Sequence, residues 1–326
     1  MVVLLACCRK LNVLLLVVFF LAGCAEPSRP SGDASKKPEH RIDWGVFVPD
    51  DKDASSNLYT IEQMAGSAPH YILRFAAINE RIPIPELTEI NAMGAVPILT
   101  VEPWQPDGGP LQPDYALSAI AAGNFDTQLD TWARNLAEWG QPLLLRFAHE
   151  MNGDRYPWSV GANGNSAADF IAAWRHVRER FSLASARNVS FMWAPNAPYE
   201  GATSMSDVFP GTDAVDVLGL DGYNWGDGEG HAWKTPEQIF GKGLEELRAL
   251  DNTHPIVIAE TASAEGPVSG SDKAAWIRQL VDFLSQQEKV SGFVWFQSNK
   301  ERDWRFNSSE AAQMAFKQAL AGRPSP

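Results

Sequence analysis

Eight short apolar runs recur along the chain, each of strand length: Trp44–Val48, Tyr71–Ala76, Val96–Val101, Leu143–Ala148, Val189–Trp193, Val215–Leu220, Ile256–Ala259 and Gly292–Phe296. Between them lie stretches whose apolar residues return with helical spacing, such as Phe125–Trp139, Ser166–Phe181, Thr235–Leu250 and Ser271–Gln287. Apolar runs without alternation read as strands buried on both faces, and strands alternating with helices pair in parallel through right-handed crossovers. Eight such units close into an α/β (β/α)8 barrel, a TIM barrel, spanning residues 42–326 as a single catalytic domain. The alternative is an open doubly wound sheet. No glycine-rich phosphate loop follows the first run, and Gly45 alone is no dinucleotide fingerprint. No internal repeat appears.

In a parallel barrel the chemistry sits just past the C-terminal end of each strand. The fourth run, Leu143-Leu144-Leu145-Arg146-Phe147-Ala148, passes directly into His149-Glu150-Met151-Asn152-Gly153. Ionisable groups at such a strand end need partners, because burying a charge unpaired is costly. A buried ion pair that only holds a loop is one reading of Arg146, His149 and Glu150. A zinc helix of the H-E-x-x-H kind is excluded, because Gly153 occupies the place of the second histidine. The seventh run ends in Glu260-Thr261. Two carboxylates, Glu150 and Glu260, thus emerge from apolar strands three βα units apart. That pairing suits glycoside hydrolysis, with one carboxyl as acid and the other as nucleophile or base.

The aromatic residues point to the same chemistry. Trp104, Trp193, Trp225 and Trp295 follow strands, Tyr223 and Asn196 lie beside them, and such groups stack on a sugar or bond its hydroxyls. A packing role for the four tryptophans is equally open. Trp158, Trp233 and Trp304 fall in loops, where binding is the expectation. Trp132, Trp139, Trp174 and Trp276 sit within helical patterns and are expected to pack against the barrel. His231 is given no role.

The N-terminus is an address. Arg9 and Lys10 precede an apolar run from Leu11 to Ala22, about half the ~20 residues of a spanning helix. It closes on Leu21-Ala22-Gly23-Cys24, which resembles the lipobox of bacterial lipoproteins. The resemblance implies a signal over residues 1–23, lipidation of Cys24 and export to a membrane surface, the outer one in a Gram-negative cell. Residues 24–41 carry Pro27, Pro30 and Pro38 among Ser, Gly and Lys and read as a flexible tether. The cysteines are Cys7, Cys8 and Cys24, so the mature chain has no pair for a disulfide. The formal charge of −13 becomes two units more negative once Arg9 and Lys10 are removed. Such a balance argues against nucleic acid and anionic lipid as partners, and leaves neutral polymers open.

His149-Glu150-Met151-Asn152-Gly153, followed by Trp158, resembles the acid/base motif of glycoside hydrolase family 26, and the likeness runs from Trp44-Gly45-Val46-Phe47 to the segment Trp295–Trp304. The histidine before the acid/base glutamate sets that family apart from most related barrels. The resemblance implies a retaining enzyme with Glu150 as acid/base and Glu260 as nucleophile. It implies that Arg146 and His149 bond substrate or carboxylates, that Tyr223 positions the nucleophile, and that Trp295 floors the −1 sugar site. The family includes endo-β-1,4-mannanases, mixed-linkage β-glucanases and β-1,3-xylanases. One position departs from its pattern. Arg155 stands two residues after the motif glycine, where the family often places an aromatic that stacks on the +1 sugar. Arginine there can stack or pair with an acidic substituent, which points away from plain mannan.

The expectation is a monomeric, retaining, endo-acting hydrolase of a β-linked polysaccharide, mannanase-like. The candidate polymers are β-mannan, mixed-linkage β-glucan or an exopolysaccharide, with Trp104, Trp158, Asn196 and Trp225 as further sugar contacts. The mechanism requires no metal and no organic cofactor. A surface protein that binds polysaccharide without cutting it is the alternative of another class.

Overall fold

A computed structural model describes residues 40–49, 54–228, 230–266 and 272–322, with the side chains of 54–57 left aside. The expected signal, Cys24 and the tether up to residue 39 lie outside the described residues. No helix among the described residues is long and apolar enough to cross a membrane.

The chain alternates β1 (Asp43–Phe47), α1 (Ala54–Ala65), β2 (Tyr71–Ala77), α2 (Ile84–Ala92), β3 (Val96–Glu102), α3 (Leu117–Ala121), α4 (Asp126–Trp139), β4 (Leu143–Phe147), α5 (Ala167–Leu183), β5 (Val189–Trp193), β6 (Val217–Asn224), α6 (Pro236–Leu250), β7 (Ile256–Ser263), α7 (Asp272–Ser285), β8 (Val290–Phe296) and α8 (Glu310–Ala321). The eight strands pair in sequence order, all parallel, and β1 pairs with β8 to close the barrel. The (β/α)8 expectation holds, and closure removes the sheet edges an open doubly wound fold would have.

Each strand is largely apolar because it buries both faces. Leu73, Ile98, Met192, Val217, Val257 and Val294 fill the barrel interior, while Ile72, Leu99, Leu145, Leu218 and Ile258 pack outward under the helices. Helix starts follow local chemistry. Ser166 and Thr235 cap α5 and α6 in reciprocal capping boxes with Asp169 and Gln238, satisfying amide groups that the first turn leaves open.

Two local irregularities shape the barrel mouth. Leu220 pairs with Ile258 but Asp221 pairs with Glu260, so β7 carries one extra residue, Ala259. Val257 and Ala259 face inward, and simple alternation would send Glu260 outward. The bulge returns it to the interior, re-aiming a side chain as bulges beside active sites do. After β4 the chain turns sharply, with Ala148 at φ +46° and Glu150 at φ +54°. Both are left-handed conformations that cost a non-glycine residue about 1–3 kcal/mol and persist only where surrounding contacts enforce them. The Glu150 amide donates to the Ala194 carbonyl at 2.8 Å and so anchors the turn to the end of β5.

Candidate active site

Arg146 is the centre of the mouth. It points inward from β4, fully buried, and donates from Nε to Thr100 Oγ1 at 2.8 Å and from Nη1 to Asp221 Oδ2 at 2.9 Å. Its Nη2 donates to Glu260 Oε1. The other Glu260 oxygen accepts from the Tyr223 hydroxyl at 2.5 Å. Burial works against the Arg146 charge, but Glu260 and Asp221 more than offset it and hold the guanidinium as a cation. Glu260, with both oxygens accepting, has the arrangement of a carboxylate.

Glu150 is also buried, yet it shares no ion pair with Arg146. Burial, and then the nearby Glu260 charge, push its carboxyl up to about 7, against weaker pulls from Arg146 and Arg155. The two carboxyls therefore divide by environment. One is clamped by donors; the other is held toward its protonated form.

The motif around Glu150 is a scaffold. Asn152 Nδ2 donates to the Asn196 carbonyl at 3.1 Å and its Oδ1 accepts the Asn196 amide at 2.8 Å, a reciprocal pair that fixes the loop after β5. A Cβ on Gly153 would lie 2.9 Å from Asn196 Nδ2, so close approach explains the glycine. His149 is buried among Phe75, Tyr156 and Trp158 and accepts or donates at Nε2 to the Tyr156 hydroxyl, 3.3 Å away. Burial, and then the Arg146 charge, push its pKa well below the usual range, so it is neutral at physiological pH.

The aromatic expectations divide. Trp104 is half-buried at the mouth, and its indole N–H has no partner within the protein. Trp158 is fully buried: it stacks under Tyr156 at 4.4 Å and donates to the His149 carbonyl at 2.7 Å. It supports the wall from behind, with Tyr156 between it and the cleft. Trp295 requires a plainer correction. On β8, Val294 faces the barrel interior, and Trp295, one residue on, faces the helices. It packs edge-on to Trp276 and Phe316 with no exposure, so it does not floor a sugar site. Phe296, the next residue, is the one that turns inward, against Phe47 and Tyr223. Trp304, expected in an exposed loop, is buried beside Tyr223 and Trp225. Trp225 does line the cleft, but its ring carries the Arg155 guanidinium at 4.8 Å and the His231 imidazole stacked at 4.9 Å.

Sequence reasoning passed over three participants. Asp221 is the second carboxyl on Arg146, and its spacing of two from Tyr223, which places both on one strand face, was the available signal. Tyr156, just past the motif, is the phenol against His149. Glu102, at the end of β3, is a third carboxyl of the mouth; burial, and then Glu260, push it up to about 7. A cavity of about 300 Å³ adjoins Glu150 on the side of the β5 and β6 loops, lined by Asn196, Tyr199, Tyr223 and Trp225 among others. Among the described residues no group of three or more His, Cys, Asp or Glu side chains is placed to hold a metal ion.

Comparison with known proteins agrees with this geometry. Residues 119–235, which contain Arg146 and the whole Glu150 motif, match the family described as Glycosyl hydrolase family 26. That stretch of the barrel is similar to the family. Endoglucanase H of Acetivibrio thermocellus is 35% identical over 240 residues, covering 72% of this chain and 25% of that protein. A mannan endo-1,4-β-mannosidase of Bacillus subtilis is 25% identical over 189 residues, 54% of this chain and 48% of that protein. This chain thus spans between a quarter and about half of those two relatives. Among solved structures, the catalytic domain of the Bacillus sp. JAMB-750 GH26 endo-β-1,4-mannanase superposes with a TM-score of 0.66 at 15% identity, covering 87% of this chain and 86% of that one. At that identity the likeness is one of fold.

Proposed function

We propose that the protein is a retaining, endo-acting glycoside hydrolase that cleaves a β-linked polysaccharide by double displacement. The observation that carries this reading is the unequal treatment of two carboxyls in one barrel mouth. Glu260 accepts from Arg146 and Tyr223, and Glu150, clear of that clamp, is held near pH 7 in its acid form. In this reading Glu260 attacks the anomeric carbon and forms a glycosyl-enzyme bond while Glu150 protonates the departing glycosidic oxygen. Glu150, now a base, then takes a proton from the water that releases the sugar. Arg146 and Tyr223 hold the nucleophile's orientation. His149 and Tyr156 border the acid, and Trp104 and Asn196 are the sugar contacts.

The polymer is β-mannan in the first reading, supported by the mannanase among the relatives. Mixed-linkage or other β-glucan is the second, favoured by the higher identity to an endoglucanase. The site acts within a single chain, and Cys24, lipidated in this proposal, keeps the enzyme at a membrane surface where polymer enters or leaves the cell.

The test is product release from galactomannan, glucomannan, barley β-glucan and β-1,3-xylan by the purified protein beside its Glu260→Gln variant. Oligosaccharides from one polymer, absent with the variant, are expected. A folded protein that binds one polymer and cuts none would support the binding-only alternative.

A further inference from the structure

Basic side chains gather at the cavity beside Glu150, in a chain that is acidic as a whole. The protein carries a formal charge of −13, yet Arg155, His231 and Lys234 converge on this one cavity. The ring of Trp225 organises two of them, with Arg155 over it at 4.8 Å and His231 stacked at 4.9 Å. Among the described residues none of the three forms an ion pair. The acids that line the same cavity leave them available. Asp221 is engaged by Arg146, Glu150 is held toward its neutral form, and Asp154 pairs with none of them.

A guanidinium and an ammonium at the wall of a sugar cleft, neither held in an ion pair, are a recognition device for an anion. The planar fork of arginine matches a carboxylate in two parallel hydrogen bonds, and Trp225 holds it at low entropic cost. The cavity's position sets which sugar is read. It adjoins Glu150, the group that protonates the leaving oxygen in the proposed reaction, so its occupant is the sugar on the leaving side. We propose that this leaving-side cavity is a subsite for an acidic sugar, a uronic acid or a sugar with a carboxyl substituent, bound by Arg155 and Lys234 over Trp225.

The subsite rests on the glycosidase reading and deepens it, because it also acts on the acid. The Arg155 charge draws the Glu150 carboxyl down. A carboxylate bound to Arg155 cancels that pull and keeps Glu150 protonated to higher pH. An acidic substrate therefore both binds and favours the catalytic form of the enzyme.

The experiment compares lightly carboxymethylated galactomannan and carboxymethylated barley β-glucan with their unmodified parents, using wild type and the Arg155→Met/Lys234→Met double variant. For wild type, products from the acidic polymers are expected to carry the carboxymethyl group on their non-reducing-terminal residue, the one that occupied the leaving-side cavity. The ratio of kcat/KM for acidic over neutral polymer is expected to fall at least about tenfold in the double variant, the scale of one lost charged hydrogen bond. The alkaline limb of the wild-type pH profile is expected at higher pH with the acidic polymer. An unchanged ratio, or unsubstituted non-reducing ends, overturns the proposal while leaving the glycosidase reading intact. If no polymer is cut, the glycosidase reading fails, and calorimetric titration with the same polymers decides the subsite alone. Tighter, salt-sensitive binding of the acidic form by wild type and not by the double variant upholds it; equal binding overturns it.

Discussion

The division of labour between Glu150 and Glu260 makes a measurable prediction about a charge that acts at a distance. Glu150 is pushed from an ordinary carboxyl value of 4.5 to about 7, with burial the larger cause and the Glu260 charge the next. The variant Glu260→Gln removes that charge at constant shape. Retaining glycosidases hold their carboxyls about 5.5 Å apart, where two unit charges at an effective dielectric of about 20 interact by about 3 kcal/mol, or about two pKa units. Arg146, adjacent to both groups, damps the coupling, so a fall of about one to two units is expected on this scale. Glu150 should then titrate nearer pH 5 to 6 by the same arithmetic, roughly. The measurement is a carbon-13 NMR titration of carboxyl-labelled glutamates in wild type and Glu260→Gln, with Glu150→Gln assigning the resonance. Glu102, raised by the same neighbour, should fall in parallel. A Glu150 that titrates at the same pH in both proteins refutes the coupling and leaves burial as the only cause. Stability follows with a definite sign. A raised carboxyl contributes stability below 4.5 that is lost as pH rises through about 7, and the variant should show a shallower loss across that interval.

Three further outcomes are expected. Tyr223→Phe removes one donor from the nucleophile and should lower kcat by about 10²-fold with KM little changed, by analogy with loss of a single oriented donor; an equal rise in KM would mean that Tyr223 serves substrate binding instead. Arg146→Met strands Asp221 and Glu260 without their counter-charge and should cost about 3–5 kcal/mol at pH 7, read by urea unfolding; because protonation relieves both carboxyls, the loss should shrink at pH 4, and an identical loss at both values would refute the electrostatic account. Trp295→Ala should lower stability by about 3–5 kcal/mol through the cavity it leaves while the folded fraction retains its kcat; a variant of unchanged Tm and lost activity would restore Trp295 to the sugar site.

Much of the barrel was legible because hydropathy and burial agree where a strand buries both faces. The runs at Val189–Trp193 and Leu143–Phe147 needed no tertiary information. β6 and β7 were read too short. They continue to Asn224 and Ser263, where Asp221, Glu260 and Asn224 find partners across the mouth that a linear reading cannot see. The two carboxyls of the mouth stood out for a related reason: a glutamate at the end of an apolar run is costly enough to require a purpose. Trp295 misled because residue type was weighed above alternation, although one step from the inward Val294 already placed it on the outer face. Trp158 and Trp304 are loop residues in sequence but fold beneath the surface, since loops over a barrel mouth build a layer of their own. The raised carboxyl of Glu102 depends on Glu260, which lies on a strand far along the chain, and no local pattern could have announced it.

The Arg146 network also bears on how the chain is assembled. The guanidinium and the Thr100 hydroxyl come from the first four strands, and its two acidic partners, Asp221 and Glu260, come from the last four. Each half of the barrel is thus incomplete, one holding a buried cation and the other the two buried carboxyls that bond it. Only the junction of the halves pairs them. The feature that orients Glu260 for the proposed reaction is therefore also a check on closure: a barrel that joins in the wrong register leaves charge stranded in its interior, and correct closure and an ordered site arrive as one event.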